Sequence, residues 1–306
     1  MTCLRCGKHS EYTPAAGRRC PHCGAEAAFE PREGDPVSDA LFAETLGRVS
    51  SDGTLRFTAG QLYYELCRTL GPGTRETLDR PRFDGLWARW QAVHGAPPGL
   101  VAPWATRPGA GPREVDIGDY SFDRVVITDS AWMVDFLLAN NFHFETNSAV
   151  LSMDGHPADR FDMIRGMLRR NPRIIVIAIH DASVEGCSLA RRLVTEDGWF
   201  REHGHVVDVG LSAAHRALYS ELWRPRAEPL EAPAGADAET EWLCRYSLDL
   251  AVVRPEKALR RLFRASRKYM AFLTEPGAPA TGQVLRDDAL LGPGKHRRLA
   301  AGEELD

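Results

Sequence analysis

Four of the seven cysteines fall in two matching knuckles, Cys3-Leu-Arg-Cys6-Gly7 and Cys20-Pro-His-Cys23-Gly24, with 13 residues between Cys6 and Cys20. Each knuckle turns the backbone so that two thiolates converge, and the glycine that follows permits the tight turn. Two such pairs complete a tetrahedral sulfur shell around a zinc ion. A disulfide framework fits poorly with a chain that shows no signal segment. His9 and His22 are near enough to be alternative ligands, but four sulfurs already fill the shell. The expected site is closed and structural, with no open position for catalysis. Cys67, Cys187 and Cys244 lie in apolar-periodic segments and read as buried thiols.

Two other places carry side chains suited to chemistry. In Phe57–Leu66 the helical wheel gathers Leu62, Tyr63 and Leu66 with Leu70 on one apolar stripe and sets Tyr64 away from it. Tyr63 is therefore expected in the core, and Tyr64 at the surface, open to contact or reaction. The second place is where the apolar run Arg173–Ile179 passes into His180-Asp181-Ala182-Ser183-Val184-Glu185-Gly186. Acids at the carboxyl end of a parallel strand face the ligand crevice. Asp181 and Glu185 are candidates for a shared Mg²⁺, which takes oxygen ligands and keeps water in its other positions. Capping of the next helix by Asp181 and Ser183 is the competing reading, and spacing alone favours it.

The elements that must hold these residues follow from periodicity. Helical spacing marks Ala40–Val49, Thr58–Leu70 and Phe83–Val93. Short β-branched runs at Arg124–Thr128, Ala149–Met153, Arg173–Ile179 and His205–Val209 alternate with helix-period stretches at 131–140, 159–170 and 187–196. Apolar strands alternating with helices predict an α/β fold with a parallel, Rossmann-like sheet covered on both faces. The predicted order is a zinc ribbon (1–30), a helical region (36–97), a linker (98–120), an α/β domain (121–225), a helical segment (239–272) and a loosely held tail (273–306). Trp199, Trp223 and Trp242 read as core rather than as platforms for bases.

The totals fit this layout. The chain has 306 residues, 43% of them hydrophobic and 26% charged, with 38 basic against 42 acidic side chains and a net charge of -4. That balance excludes a whole-protein field for a polyanion, so any such binding must be local. No apolar run reaches the roughly 20 residues that span a bilayer. With no charged-then-apolar leader, a cytoplasmic location is expected.

Taken in order, these stretches resemble the family of the topoisomerase VI A subunit and the related meiotic double-strand-break transesterase. There, a Thr-x-Arg-x-Leu-Tyr-Tyr helix in a winged-helix region precedes a Toprim domain. The likeness runs from about Thr58 to Leu211. Phe122–Leu137 is similar to the first Toprim strand and helix, and Ala149–Pro157 to the second strand with its Gly-x-Pro turn. Ile174–Leu193 resembles the strand, acidic Asp-x-Asp-x-x-Gly turn and helix that follow, and Val206–Leu211 a later strand. The resemblance implies that Tyr64 matches a tyrosine that attacks a DNA phosphodiester while Toprim carboxylates hold Mg²⁺. It also implies a homodimer working inside a multi-subunit DNA-processing complex, and by analogy a role in phage defence.

Residue by residue, the chain departs from that pattern. Gly60 stands where the family has arginine, Thr128 where it has glutamate (with Asp129 offset by one), and Ser183 where it has the second aspartate. Losing an arginine and two carboxylates removes most of the electrostatic help such a reaction needs. The sequence therefore points to a degenerate relative that binds DNA or scaffolds a complex, catalysing weakly or not at all. The runners-up are an active Mg²⁺-dependent nuclease or transesterase using Asp129, Asp181 and Glu185, and a zinc-ribbon adaptor that docks proteins. Two basic runs suit phosphate: Arg165, Arg169, Arg170 and Arg173, and Arg260, Arg261, Arg264, Arg267 and Lys268. A solvated helix face accounts for such runs equally well.

Overall fold

The computed structural model of the protein describes residues 2–11, 17–71, 78–102, 122–154, 164, 166, 174–195, 205–274, 284–287 and 297–298. The chain divides into two compact units, Met1–Val101 and Ala102–Asp306. Among the described residues, no helix is long and apolar enough to cross a membrane.

The first unit begins with the knuckles and continues into three helices, α1 (Asp39–Val49), α2 (Ala59–Leu70) and α3 (Arg80–His94). Each starts where a side chain takes up a free amide: Ser38 accepts from Leu41, Asp79 accepts from Arg82, and Thr58 with Gln61 forms a reciprocal capping box before α2. Phe29, Phe42 and Trp90 form the aromatic centre of the unit, with ring centroids 4.6 to 6.1 Å apart. The ribbon shares this core with the helices rather than standing apart from them. Buried Asp39, the first residue of α1, accepts the amides of Ala28 and Phe29 at 3.0 and 2.8 Å and meets His94 Nε2 at 2.6 Å. Among the described residues of this unit, β pairing consists of isolated bridges, Thr2 with His9, Arg19 with Glu26 and Phe57 with Leu100.

The second unit holds β1 (Arg124–Thr128), β2 (Ser148–Ser152), β3 (Ile175–Ile179) and β4 (His205–Asp208). Its helices include α4 (Ala131–Ala139), the single turn α5 (Phe142–Glu145), and α6 (Val184–Cys187) with α7 (Leu189–Thr195). After the two-residue strands β5 (Arg224–Pro225) and β6 (Tyr246–Ser247), which pair with each other around α8 (Ala238–Arg245), come α9 (Pro255–Thr274), β7 (Val284–Arg286) and β8 (Arg297–Arg298). The main sheet runs β2-β1-β3-β4-β7-β8, parallel from β2 to β7, with β8 antiparallel at the edge. This is a Rossmann-like α/β arrangement in which the chain leaves β1 towards β2 and later returns to β3 on its other side.

Central β3 is buried along its whole length. Val125 and Ile127 of β1, Val176 and Ala178 of β3, and Val206 of β4 pack with Leu189 and Leu193 of α7. The alternate residues Val126, Ile177 and Val207 are equally buried and point to the opposite face. Each fully buried Val or Ile contributes about 1.5–3 kcal/mol relative to exposure.

Two expectations need correction. The tail is not uniformly loose, because Val284–Arg286 forms β7 and pairs in register with β4, burying Leu285. Three residues are too few to show strand periodicity among glycines and prolines. The helical segment expected at 239–272 is not continuous: α8 ends at Arg245, where the backbone extends into β6 and then a 3₁₀ turn at Leu250–Val252, before α9 begins at Pro255. The expected helix at 159–170 lies outside the described residues apart from Ile164 and Gly166, as do the Gly155-x-Pro157 turn and Trp199. Trp223 and Trp242 are half-buried and cluster with Tyr246, Trp223 meeting both other rings edge-on.

Candidate functional site

The four knuckle cysteines converge, with each ligand sulfur within 4.8 Å of the other three. Cys3 and Cys23 sulfurs lie 3.6 Å apart, and those of Cys6 and Cys20 3.8 Å apart. Four sulfurs at about 2.3 Å from a tetrahedral zinc would sit about 3.8 Å from one another, far beyond the roughly 2.05 Å of a disulfide. The donor set is therefore compatible with a structural zinc site. The two knuckles repeat one geometry: Gly7 and Gly24 share φ of 70°, and their amides donate to the carbonyls of Cys3 and Cys20. The thiols share one another's protons: the His22 amide helps bring Cys20 down to about 7, while, against the lowering bond from the Ala25 amide, burial and the neighbouring thiols push Cys23 up to about 11.

The second cluster lies at the carboxyl edge of the sheet, where the strand order reverses between β1 and β3. Asp129 follows β1 and Asp181 follows β3, so the two flank the crevice in which ligands of such sheets bind. A hydrogen bond bridges that crevice, as the Asp181 amide donates to Asp129 Oδ2 at 2.9 Å. Asp181 Oδ1 accepts from the Leu250 amide at 2.6 Å, next to a backbone bridge between Ala182 and Leu248. Burial pushes the Asp181 carboxyl well above the usual aspartate range, and the charges of Asp249 and Asp129 push it further. Glu185 points elsewhere and receives two bonds from Arg226, at 3.0 and 3.2 Å, which hold its carboxyl below the usual range. Among the described residues, the four cysteines are the only group of three or more metal-capable side chains with ligand atoms this close. Asp129, Asp181 and Glu185 do not form a second one.

Capping is divided between two residues. Ser183 caps α6 by accepting from the Gly186 amide, whereas Asp181 latches the 248–250 segment. Gly186 lies so near the strand end that a Cβ there would meet the Asp181 carbonyl oxygen at 2.4 Å and Asp129 Oδ2 at 2.9 Å.

No motif in the sequence gives a role to His180 or Asp208, the polar residues at the carboxyl ends of β3 and β4. His180 is completely buried, with Nε2 at 2.9 Å from Asp208 Oδ1 and Nδ1 at 2.8 Å from the Asp181 carbonyl. A carbonyl only accepts, so Nδ1 carries a hydrogen; Asp208 Oδ1 also accepts from the Gly210 amide, and with Asp208 ionised Nε2 donates as well, which makes the ring an imidazolium. Burial alone would lower the His180 pKa, but the Asp208 charge outweighs it and raises the value well above the ordinary one. Burial likewise opposes ionisation of Asp208, yet His180, with help from Arg286 of β7, holds it low. The available signal was a polar residue ending each of two neighbouring apolar strands.

Tyr64 requires a correction: it is 2% exposed, not at the surface. The wheel assumed one buried face, but α2 is enclosed around its circumference, and every residue from Gln61 to Cys67 is buried. Tyr63 is also buried, and its hydroxyl donates to the Leu78 carbonyl at 3.1 Å. Arg165, Arg169, Arg170 and Arg173 lie outside the described residues. The second basic run is on α9, where Arg260, Arg264, Arg267 and Lys268 are exposed and line a groove of about 720 Å³ with Phe263 and Glu145. Compared with protein-family models, curated proteins and solved structures, the chain matches none.

Proposed function

We propose that the protein is a nucleic-acid-binding or scaffolding subunit of a DNA-processing or defence complex. On this reading it is a relative of the topoisomerase VI A subunit that keeps a Toprim-like sheet without efficient cleavage chemistry. The carrying observation is the exposed row of Arg260, Arg264, Arg267 and Lys268 along one groove of α9, because a local cationic row supplies phosphate affinity in a chain of net negative charge. The sheet edge supports the non-catalytic half of the reading. Asp129 and Asp181 hold backbone amides, and Glu185 is neutralised by Arg226. A tyrosine must reach its phosphorus to attack, and Tyr64 is enclosed.

Filter binding across salt concentrations, run beside a plasmid-nicking assay with Mg²⁺ or Mn²⁺, tests the proposal. The expected result is salt-dependent binding without cleavage. Robust cleavage that Tyr64→Phe or Asp181→Ala abolishes would establish the nuclease reading instead. No binding even at low salt would favour the protein-docking adaptor. One observation supports that second reading: a cleft of about 550 Å³ beside the knuckles, lined by Leu4, Arg5, Ser38 and His94, with Leu4 exposed.

A further inference from the structure

We infer that the groove along α9 takes single-stranded nucleic acid, with the bases of the strand stacking on Phe144; this rests on the nucleic-acid reading proposed above. Four residues of helix rise about 6 Å, so positions 260, 264 and 268 place charges in a row about 12 Å long. The ends of that row are engaged, Arg260 by Glu256 and Lys268 by Asp287 at 3.2 Å. Arg264 and Arg267 in the middle make no ion pair with a described residue, leaving two guanidinium groups for phosphates.

The aromatic partner is on the neighbouring turn. Phe142 of α5 packs against Phe263 of α9 with ring centroids 5.0 Å apart, fixing the turn beside the groove. Asn141 begins that turn in the left-handed region, at φ 56°. Its last residue, Glu145, lines the groove, and the residue before it, Phe144, is 81% exposed. No other large hydrophobic among the described residues exceeds 50%. An aromatic ring held in water on a short, anchored turn offers a π-face that any base can cover. A duplex keeps its bases stacked inside and offers this surface only phosphates, which leaves Phe144 without a partner. A single strand presents both groups at once. Glu145 repels phosphate and so confines the backbone of the strand to the arginine side.

Fluorescence anisotropy with the full chain tests this, using polythymidine, polyuridine and a mixed-sequence duplex as probes. Polythymidine should bind at least about tenfold more tightly than the duplex, and polyuridine reports whether a 2′-hydroxyl matters. Phe144→Ala should weaken single-strand binding about 5- to 160-fold, the loss of one base stack, and leave duplex binding unchanged. Arg264→Ala with Arg267→Ala should flatten the single-strand salt slope by about 1.4, or 0.7 per lost phosphate contact. Both sites are exposed, so these variants should fold, and thermal melts check that they do. Duplex binding equal to or tighter than single-strand binding, with Phe144→Ala silent, overturns the inference and leaves the broader reading standing. Failure to bind either probe at about 50 mM salt removes both.

Discussion

His180 and Asp208 form an enclosed ion pair, 2.9 Å between Nε2 and Oδ1, that ties the end of β3 to the end of β4. Neither charge has water to fall back on, so each depends on the other. Asp208→Asn should cost about 3–5 kcal/mol in urea unfolding, the range for a buried pair that loses one partner.

The same pair sets a pH dependence. His180 has a raised pKa in the fold, so its contribution is complete below about 6.5, the ordinary histidine value, and is lost as pH climbs through the raised value. Asp208 has a lowered pKa, so its contribution is complete above about 3.9 and is lost as pH falls through the lowered value. Stability from the pair should therefore be greatest between about pH 4 and 6.5 and decline on the alkaline side. Urea titrations at a series of pH values should show that decline in the parent and not in His180→Leu. Identical alkaline profiles would mean that the pair is not charged.

Two glycines make a matched comparison. A Cβ at Gly210 would lie 2.4 Å from the His180 ring, whereas one at Gly85, exposed within α3, would meet nothing within 4 Å. Gly210→Ala should destabilise by about 1–3 kcal/mol through overpacking. Gly85→Ala should stabilise by about 0.5–1 kcal/mol through helix propensity. Thermal melts of the two variants should move in opposite directions.

The parts legible in the sequence were those with a repeating signal. The three helices of the first unit and β1 to β4 fell within a few residues of their expected positions, since 3.6- and 2-residue periods survive in runs of five or more. The cysteine cluster was legible because both knuckles carry the same spacing. What escaped depended on contacts between distant segments. Arg226 on Glu185, Leu250 on Asp181 and Arg286 beside Asp208 each join residues with no local pattern linking them. Tyr64 was misread because a wheel shows one helix and not what surrounds it.

Metal removal should act on the first unit. Chelation, or Cys20→Ser, should lower bound zinc from about one ion per chain to a small fraction and disorder the knuckles. Ala28 and Phe29, whose amides donate to Asp39, follow closely after the second knuckle, so loosening should spread to the start of α1. Hydrogen exchange should rise at Ala28 and Phe29 and remain unchanged in β3. A metal-free protein with unaltered exchange would show that the thiols fold this segment without an ion.

Asp181 separates a metal carboxylate from a structural latch. Its raised pKa means that ionisation penalises the fold, so its effect on stability worsens as pH rises from the ordinary aspartate range through the raised value. Asp181→Asn keeps an oxygen for the Leu250 amide and removes the charge, so it should melt higher than the parent at neutral pH. Mg²⁺ should leave the parent's melting point unmoved. A Mg²⁺-dependent rise that the variant lacks would return Asp181 to the metal-binding role.

The pairing of Val206 with Val284 has a consequence for how the protein is made. Emerging from a ribosome, the chain would display β4 with an open edge until the stretch containing β7 followed, and an open edge invites the wrong neighbour. Arg286 arrives with that strand, so the charge balance around Asp208 is completed at the same moment as the sheet. A nascent chain stalled before Val284 would carry both an unprotected β4 and a His180–Asp208 pair short of its third charge. Such a chain is a natural client for a chaperone.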